Sequence, residues 1–227
     1  MRRFRRKTES ASVFSKPEPK PPVSEATRIL AIDPATSSGY AVFDRTPEGA
    51  TLVSFGFFDT TPSSETRCMG DVCLDYRNAI IKLLVEFTPS EVAIEDYFFN
   101  KNTRGGANVN PALRAIAHLV IRERGIHYEV VNPLVWKRFV TGNSSATKED
   151  ITKHGKTTAE KARVKNALAK HWGLTLPEKV KSEKTGREIK FRFDISDAIG
   201  IGVFSCWNRW GALVLPRPGS ASDSCQQ

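Results

Sequence analysis

Residues 29–32 read Ile-Leu-Ala-Ile, an unbroken apolar run that stops at Asp33-Pro34. A run this short and this uniformly apolar fits a strand buried on both faces. Proline then ends its ladder by removing a backbone donor. This feature constrains the chain most, because both faces of the strand must be covered, which calls for helices on each side of a sheet.

The following residues supply those elements. Thr36-Ser37-Ser38-Gly39 predicts a turn, residues 40–43 a second strand and Pro47-Glu48-Gly49 a hairpin turn. Residues 51–58 predict a third strand, with Val53, Phe55 and Phe57 alternating. Over 66–87, Cys73, Tyr76, Ile80, Leu83, Leu84 and Phe87 recur at spacings of three and four, which predicts a helix that Pro89 stops. Val92-Ala93-Ile94 is another buried strand, ending in Glu95-Asp96. Residues 111–124 predict a helix with Leu113, Ile116, Ala117 and Val120 on one face, ended by Gly125. Residues 128–131 predict a fifth strand, 160–172 a basic amphipathic helix, 174–192 a polar Lys-rich loop and 194–209 a last helix. The order β-β-β-α-β-α-β-α predicts an α/β fold. Its mixed five-stranded sheet is an antiparallel three-strand meander plus two parallel strands, flanked by helices. No G-x-G-x-x-G follows the first strand and no G-x-x-x-x-G-K-[ST] occurs, so dinucleotide and P-loop readings lack their residues.

Charge is unevenly spread. The 227 residues hold 34 Lys and Arg against 25 Asp and Glu, net +9. Residues 1–27 carry net +4, residues 132–192 net +9 and the remainder net −4. A mildly acidic body with two basic segments suggests a polyanionic partner, most often nucleic acid, although a solvated surface accounts for charge alone equally well. No run of 18 apolar residues exists, so no membrane span is expected. Cys68, Cys73, Cys206 and Cys225 fit neither a C-x-x-C pair nor a zinc knuckle, and no signal-peptide core follows Met1. The expected setting is intracellular and reducing, with DNA; cytoplasm, nucleus and organelle stay open, as does a viral or phage origin. Residues 1–27 are expected to be a disordered basic tail; its transit-peptide character is weakened by Glu9 and the Pro-rich 17–22. Residues 28–210 are expected to be one domain, with basic insertions at 142–160 and 177–192, and 211–227 a flexible tail.

The acids carry the chemistry. Asp33 ends the first strand and Glu95 the fourth. Adjacent parallel strands would deliver both carboxylates to one sheet edge. Asp194 and Asp197, three apart at the start of the last helix, share a face and would point at them. Taken singly, Asp33 also fits an Asx turn, and Asp194 and Asp197 a helix cap and first turn. Asp96 is expected to face the opposite way, toward solvent. Four converging carboxylates repel one another unless hard cations neutralise them. Mg²⁺, with Mn²⁺ as a substitute, is therefore expected, two ions roughly 4 Å apart hydrolysing a phosphodiester, with Asp33 bridging them.

These residues resemble a known family, the RuvC-type Holliday junction resolvases, which have an RNase H-like fold. "ILAIDPATSSGYAVFD" (29–44), "AIEDYFFNKN" (93–102) and "DISDAIGIG" (194–202) are similar to its three acidic motifs, in the same order, across about 28–207. The short "DPATSSG" turn is closer to phage and large-virus members. The resemblance implies an endonuclease that cuts four-way DNA junctions as a homodimer, with Asp33, Glu95, Asp194 and Asp197 as catalytic metal ligands. It also implies an aromatic stacking on unpaired bases at Phe98, with Phe99 a competitor. "WKRFVTGNSSATK" (136–148) is similar to the family's basic stretch, which would set Lys148 on the transferring phosphate and Lys137 on backbone phosphate. "AEKARVKNAL" (159–168) is similar to the segment around the second lysine, so Lys161 rivals Lys148. Lys101, Arg138 and Lys165 join the expected DNA contacts. The 111–124 helix, apolar also through Ala115 and Leu119, is a candidate dimer interface. Other readings of the same residues are an RNase H-fold nuclease acting on other branched DNA or RNA–DNA hybrid, and a non-catalytic nucleic-acid-binding protein of that fold.

Overall fold

The computed structural model describes residues 27–61, 68–96, 109–143, 151–152, 156–181, 186–211 and 214–215. The first strand, β1 (Arg28–Asp33), pairs antiparallel with β2 (Ser37–Thr46), and β2 pairs with β3 (Gly49–Asp59), completing the meander. Helix α1 (Met69–Phe87) leads to β4 (Glu91–Glu95), and α2 (Val109–Glu123) to β5 (His127–Val131). Both β4 and β5 run parallel, β4 directly beside β1. The chain continues through α3 (Pro133–Thr141), α4 (Lys156–Trp172), a ribbon of β6 (Lys179–Lys181) and β7 (Glu188–Lys190), and α5 (Phe193–Trp210). The sheet order is β5-β4-β1-β2-β3, with the expected meander and the expected adjacency of β1 and β4, and β8 (Val214–Leu215) is added parallel to the edge of β3.

The central run is buried on both faces as expected. Ile29 and Ala31 join Ala41 and Phe43 in a core with Trp136, Leu168, Ile195 and Ile199 from α3, α4 and α5. Leu30 and Ile32 join Val42 in a second core with Tyr76, Ile80, Leu113 and Ala117 from α1 and α2. Each fully buried aliphatic side chain contributes on the order of 1.5–3 kcal/mol, so β1 is the seam that joins the two layers.

Three local expectations give way, and one element was not read from the sequence. The expected turn at 36–39 is shorter, because Ser38 Oγ accepts from Ala35 N at 2.9 Å and donates to its carbonyl at 2.7 Å, closing the turn early so that β2 begins at Ser37. Helix α3, in a stretch given no secondary structure from sequence, is capped by Asn132, whose side chain accepts from Leu134 N at 2.9 Å. Proline at the first helical position and Gly142 at the left-handed C-cap complete it. The expected loop at 174–192 contains the β6–β7 ribbon. Val214–Leu215 is paired within the stretch expected to be a tail. Cys68, Cys73 and Cys206 are free thiols, and no helix among the described residues is long and apolar enough to cross a membrane.

Candidate active site

The register of β1 and β4 sets the site. Ile32 pairs with Ile94, and both point into the α1/α2 core. Alternation then turns the next residues, Asp33 and Glu95, toward the opposite face, where α5 lies. Helix α5 approaches very closely here. Gly39 pairs with Asp33, and a Cβ on Gly39 would sit 2.0 Å from the Asp194 carbonyl oxygen. Glycine therefore lets the first turn of α5 rest on the sheet and brings Asp194 and Asp197 to the two strand ends.

The electrostatics record this convergence. Desolvation, with the charges of Glu95, Asp197 and Asp194, holds the Asp33 carboxyl well above the usual carboxylate range, although Lys137 opposes the shift. Burial pushes Asp197 up to about 7; Lys137 opposes this, and Glu95 and Asp194 add to it. Lys137 Nζ stands between two of these acids, 3.4 Å from Glu95 Oε1 and 3.8 Å from Asp197 Oδ2. Burial alone would lower the lysine's pKa, but Asp197, Glu95 and Asp33 together raise it. The resemblance set Lys137 on backbone phosphate; here it lies against the carboxylates themselves.

Three neighbours were not read from sequence. The indole Nε1 of fully buried Trp136 donates to Glu95 Oε1 at 2.9 Å, and Lys137 Nζ lies 4.9 Å from the centre of the same ring. A Cβ at Gly200 of α5 would come within 2.4 Å of that ring, so the indole fills a slot left by the missing side chain. Ser37 Oγ donates to Asp194 Oδ2 at 3.1 Å. Arg192 donates to Ser37 Oγ and lies 3.4 Å from Asp194 Oδ2, with its guanidinium over Phe57. Trp136 precedes Lys137 in the expected basic stretch, and Ser37 lies three residues after Pro34; both signals were present in the sequence, but their partners lie far along the chain.

The remaining candidates divide. Asp96 faces the α2 side, away from the other acids as expected, with its side chain 41% exposed, and it pairs there with Arg114. Arg138 is exposed in the last turn of α3. Lys165 is committed elsewhere: its Nζ donates to the Pro177 carbonyl at 3.1 Å, pairs with Glu178 at 3.3 Å and lies 4.5 Å from the Phe191 ring centre. Lys161 lies on α4, with its side chain outside the described residues, and Phe98, Phe99, Lys101 and Lys148 lie outside them entirely.

The donor set suits a hard divalent cation, since all four groups are carboxylates and two of them resist ionisation in each other's company. Among the described residues, however, no three His, Cys, Asp or Glu side chains are closed into a metal cage. Lys137 pairs with oxygens of Glu95 and Asp197, two of the four carboxylates that would hold such a cation, and supplies the positive charge these acids have beside them in its place.

Comparison with known proteins agrees with this architecture. The family model described as crossover junction endodeoxyribonuclease RuvC matches residues 29–176. A crossover junction endodeoxyribonuclease RuvC from Helicobacter pylori (strain Shi470) is 34% identical over 125 residues, 55% of this chain and 76% of the relative. One from Rhodopseudomonas palustris (strain BisB18) is 28% identical over 195 residues, 86% of this chain and 94% of the relative. The fold is that of Thermus thermophilus RuvC in complex with Holliday junction substrate, at a TM-score of 0.55, 16% identity, 80% of this chain and 95% of that one. With three acid-bearing segments delivered to one edge of this sheet, the chain belongs to the RuvC family of crossover junction endodeoxyribonucleases.

Proposed function

We propose that the protein resolves four-way DNA junctions by divalent-metal-dependent phosphodiester hydrolysis, with Asp33, Glu95, Asp194 and Asp197 as ligands of two Mg²⁺ or Mn²⁺ ions. The observation that carries this reading is the convergence of the acids on Asp33, which feels the charges of Glu95, Asp197 and Asp194 at once. Such a cluster is costly without cations and gains a function with them. When bound, the ions would polarise the scissile phosphate and lower the pKa of the attacking water. The chain's own residues do the rest. Trp136 fixes the orientation of Glu95, Ser37 and Arg192 that of Asp194, and Lys137 supplies positive charge where the phosphate would enter. Phe98 would stack on an unpaired base, and Arg138 would meet backbone phosphate.

A junction is nearly two-fold symmetric, so paired cuts need two active sites, and a C2 homodimer supplies them. The outer face of α2, where Leu119 is 57% exposed, supports that reading. The test is cleavage of a fixed four-way junction beside flap, RNA–DNA hybrid and linear duplex, with Mg²⁺ or Mn²⁺. Symmetric nicks confined to the junction are expected. Equal cutting of linear duplex would refute the assignment.

A further inference from the structure

The β6–β7 ribbon divides its side chains by face. Val180, 6% exposed, and Ile189 pack inward, while Lys179, Lys181, Glu188 and Lys190 are exposed on the outer side. The register sets Lys179 directly opposite Lys190 and Lys181 opposite Glu188. Like charges directly opposed destabilise a ribbon. The ion pair of Lys179 with Glu188, at 3.4 Å, relieves part of that repulsion. Lys181 and Lys190 have no ion-pair partner among the described residues.

A two-stranded ribbon alone is marginal in water, and this one is fastened from below. Phe191 N donates to the Glu178 carbonyl at 3.0 Å, closing the base of the ribbon. Lys165 of α4 holds Pro177 and Glu178, and its ammonium covers the buried Phe191 ring. A rigid base thus presents an uncompensated positive face. It stands beside the candidate active site, because Asp194 follows Lys190 by four residues, at most about 14 Å of chain.

We infer that the outer face of the β6–β7 ribbon binds the sugar-phosphate backbone of one duplex arm of the substrate, through Lys181 and Lys190. This inference rests on the proposed action on branched DNA. Lysines here act as point charges on phosphate, so the face grips an arm without reading its sequence.

The experiment measures the affinity of the full chain for a fixed four-way junction and for a linear duplex of one arm's sequence, in EDTA, across a salt titration. Two lost phosphate contacts make log K against log salt shallower by about 1.8. Lys181→Ala/Lys190→Ala should therefore lose about twelvefold less affinity than wild type between about 50 and 200 mM salt, on both DNAs. Lys181→Arg/Lys190→Arg should keep the wild-type slope. The alanine pair should also melt no lower than wild type, since an opposed like charge is removed. An unchanged slope overturns the inference, as does a change on the junction with none on the linear arm. If wild type binds duplex with this slope yet cuts no junction, the proposed function fails while the ribbon's role stands.

Discussion

Replacing Trp136 by phenylalanine removes one hydrogen-bond donor and part of one ring from the interior, and leaves an aromatic face under Lys137. The lost donor is the indole N–H, 2.9 Å from Glu95 Oε1. A hydrogen bond to a charged group contributes about 1.5–3 kcal/mol. The void beside Gly200 adds on the order of 1–2 kcal/mol. The total, roughly 2.5–5 kcal/mol, does not exceed the low end of the 5–15 kcal/mol typical of a whole domain, so the variant should fold. Its functional effect should be larger than its structural one. Glu95 keeps its contact with Lys137 at 3.4 Å but loses the group that fixes its rotation. Partners that orient a metal ligand typically account for 10- to 100-fold in metal affinity or activity. Junction cleavage across a Mg²⁺ titration, with a urea melt in parallel, is the assay. The metal concentration for half-maximal cleavage should rise about 10- to 100-fold, with junction affinity in EDTA unchanged. Gly200→Ala should move the midpoint the same way, because it displaces the indole without deleting any group. A midpoint that stays put while stability falls would refute the reasoning and leave Trp136 as packing alone.

Three further outcomes can be measured. Asp33→Asn should cut cleavage by about a thousandfold or more, several kcal/mol of charge stabilisation being lost, while gel-shift binding to the junction survives. Asp33 and Asp197 bind protons more tightly folded than unfolded, so metal-free stability is greatest below the ordinary carboxylate range and falls as pH rises toward about 7. Added Mg²⁺ should therefore raise Tm more at about pH 8 than at about pH 5, and a pH-independent rise would count against metal binding at these acids. Gly39→Ala forces a Cβ against the Asp194 backbone and should destabilise by about 1–3 kcal/mol or more in thermal melts, with cleavage falling as α5 is lifted from the sheet.

What could be read in advance was whatever a short window contains. Ile29–Ile32 with Asp33-Pro34, the apolar strand before Glu95 and the i, i+3 pair Asp194 and Asp197 each state their element and their carboxylate within a few residues. Their order then implied the sheet. What stayed hidden depends on distance. Trp136 reads locally as an apolar residue in a basic stretch, and only the fold sets it under Glu95, 41 positions away. Ser37 and Asp194 meet across 157 positions. Helix α3 was within reach, since Asn132-Pro133 is an N-cap followed by proline at N1, but the lysine and arginine that follow drew attention to charge. The β6–β7 ribbon was masked the same way: Lys-Val-Lys and Glu-Ile-Lys alternate, yet each strand buries a single apolar residue.

The seating of α5 against Gly39 has a consequence for when the protein becomes active. Two acids emerge early in synthesis, on β1 and β4, and the other two belong to a helix near the far end of the chain. A nascent or truncated chain that stops short of Phe193 has half the carboxylates and an open sheet face where the helix should rest. On the proposed assignment of the four acids, the site is complete only once α5 has docked, so an unfinished chain would lack the full ligand set.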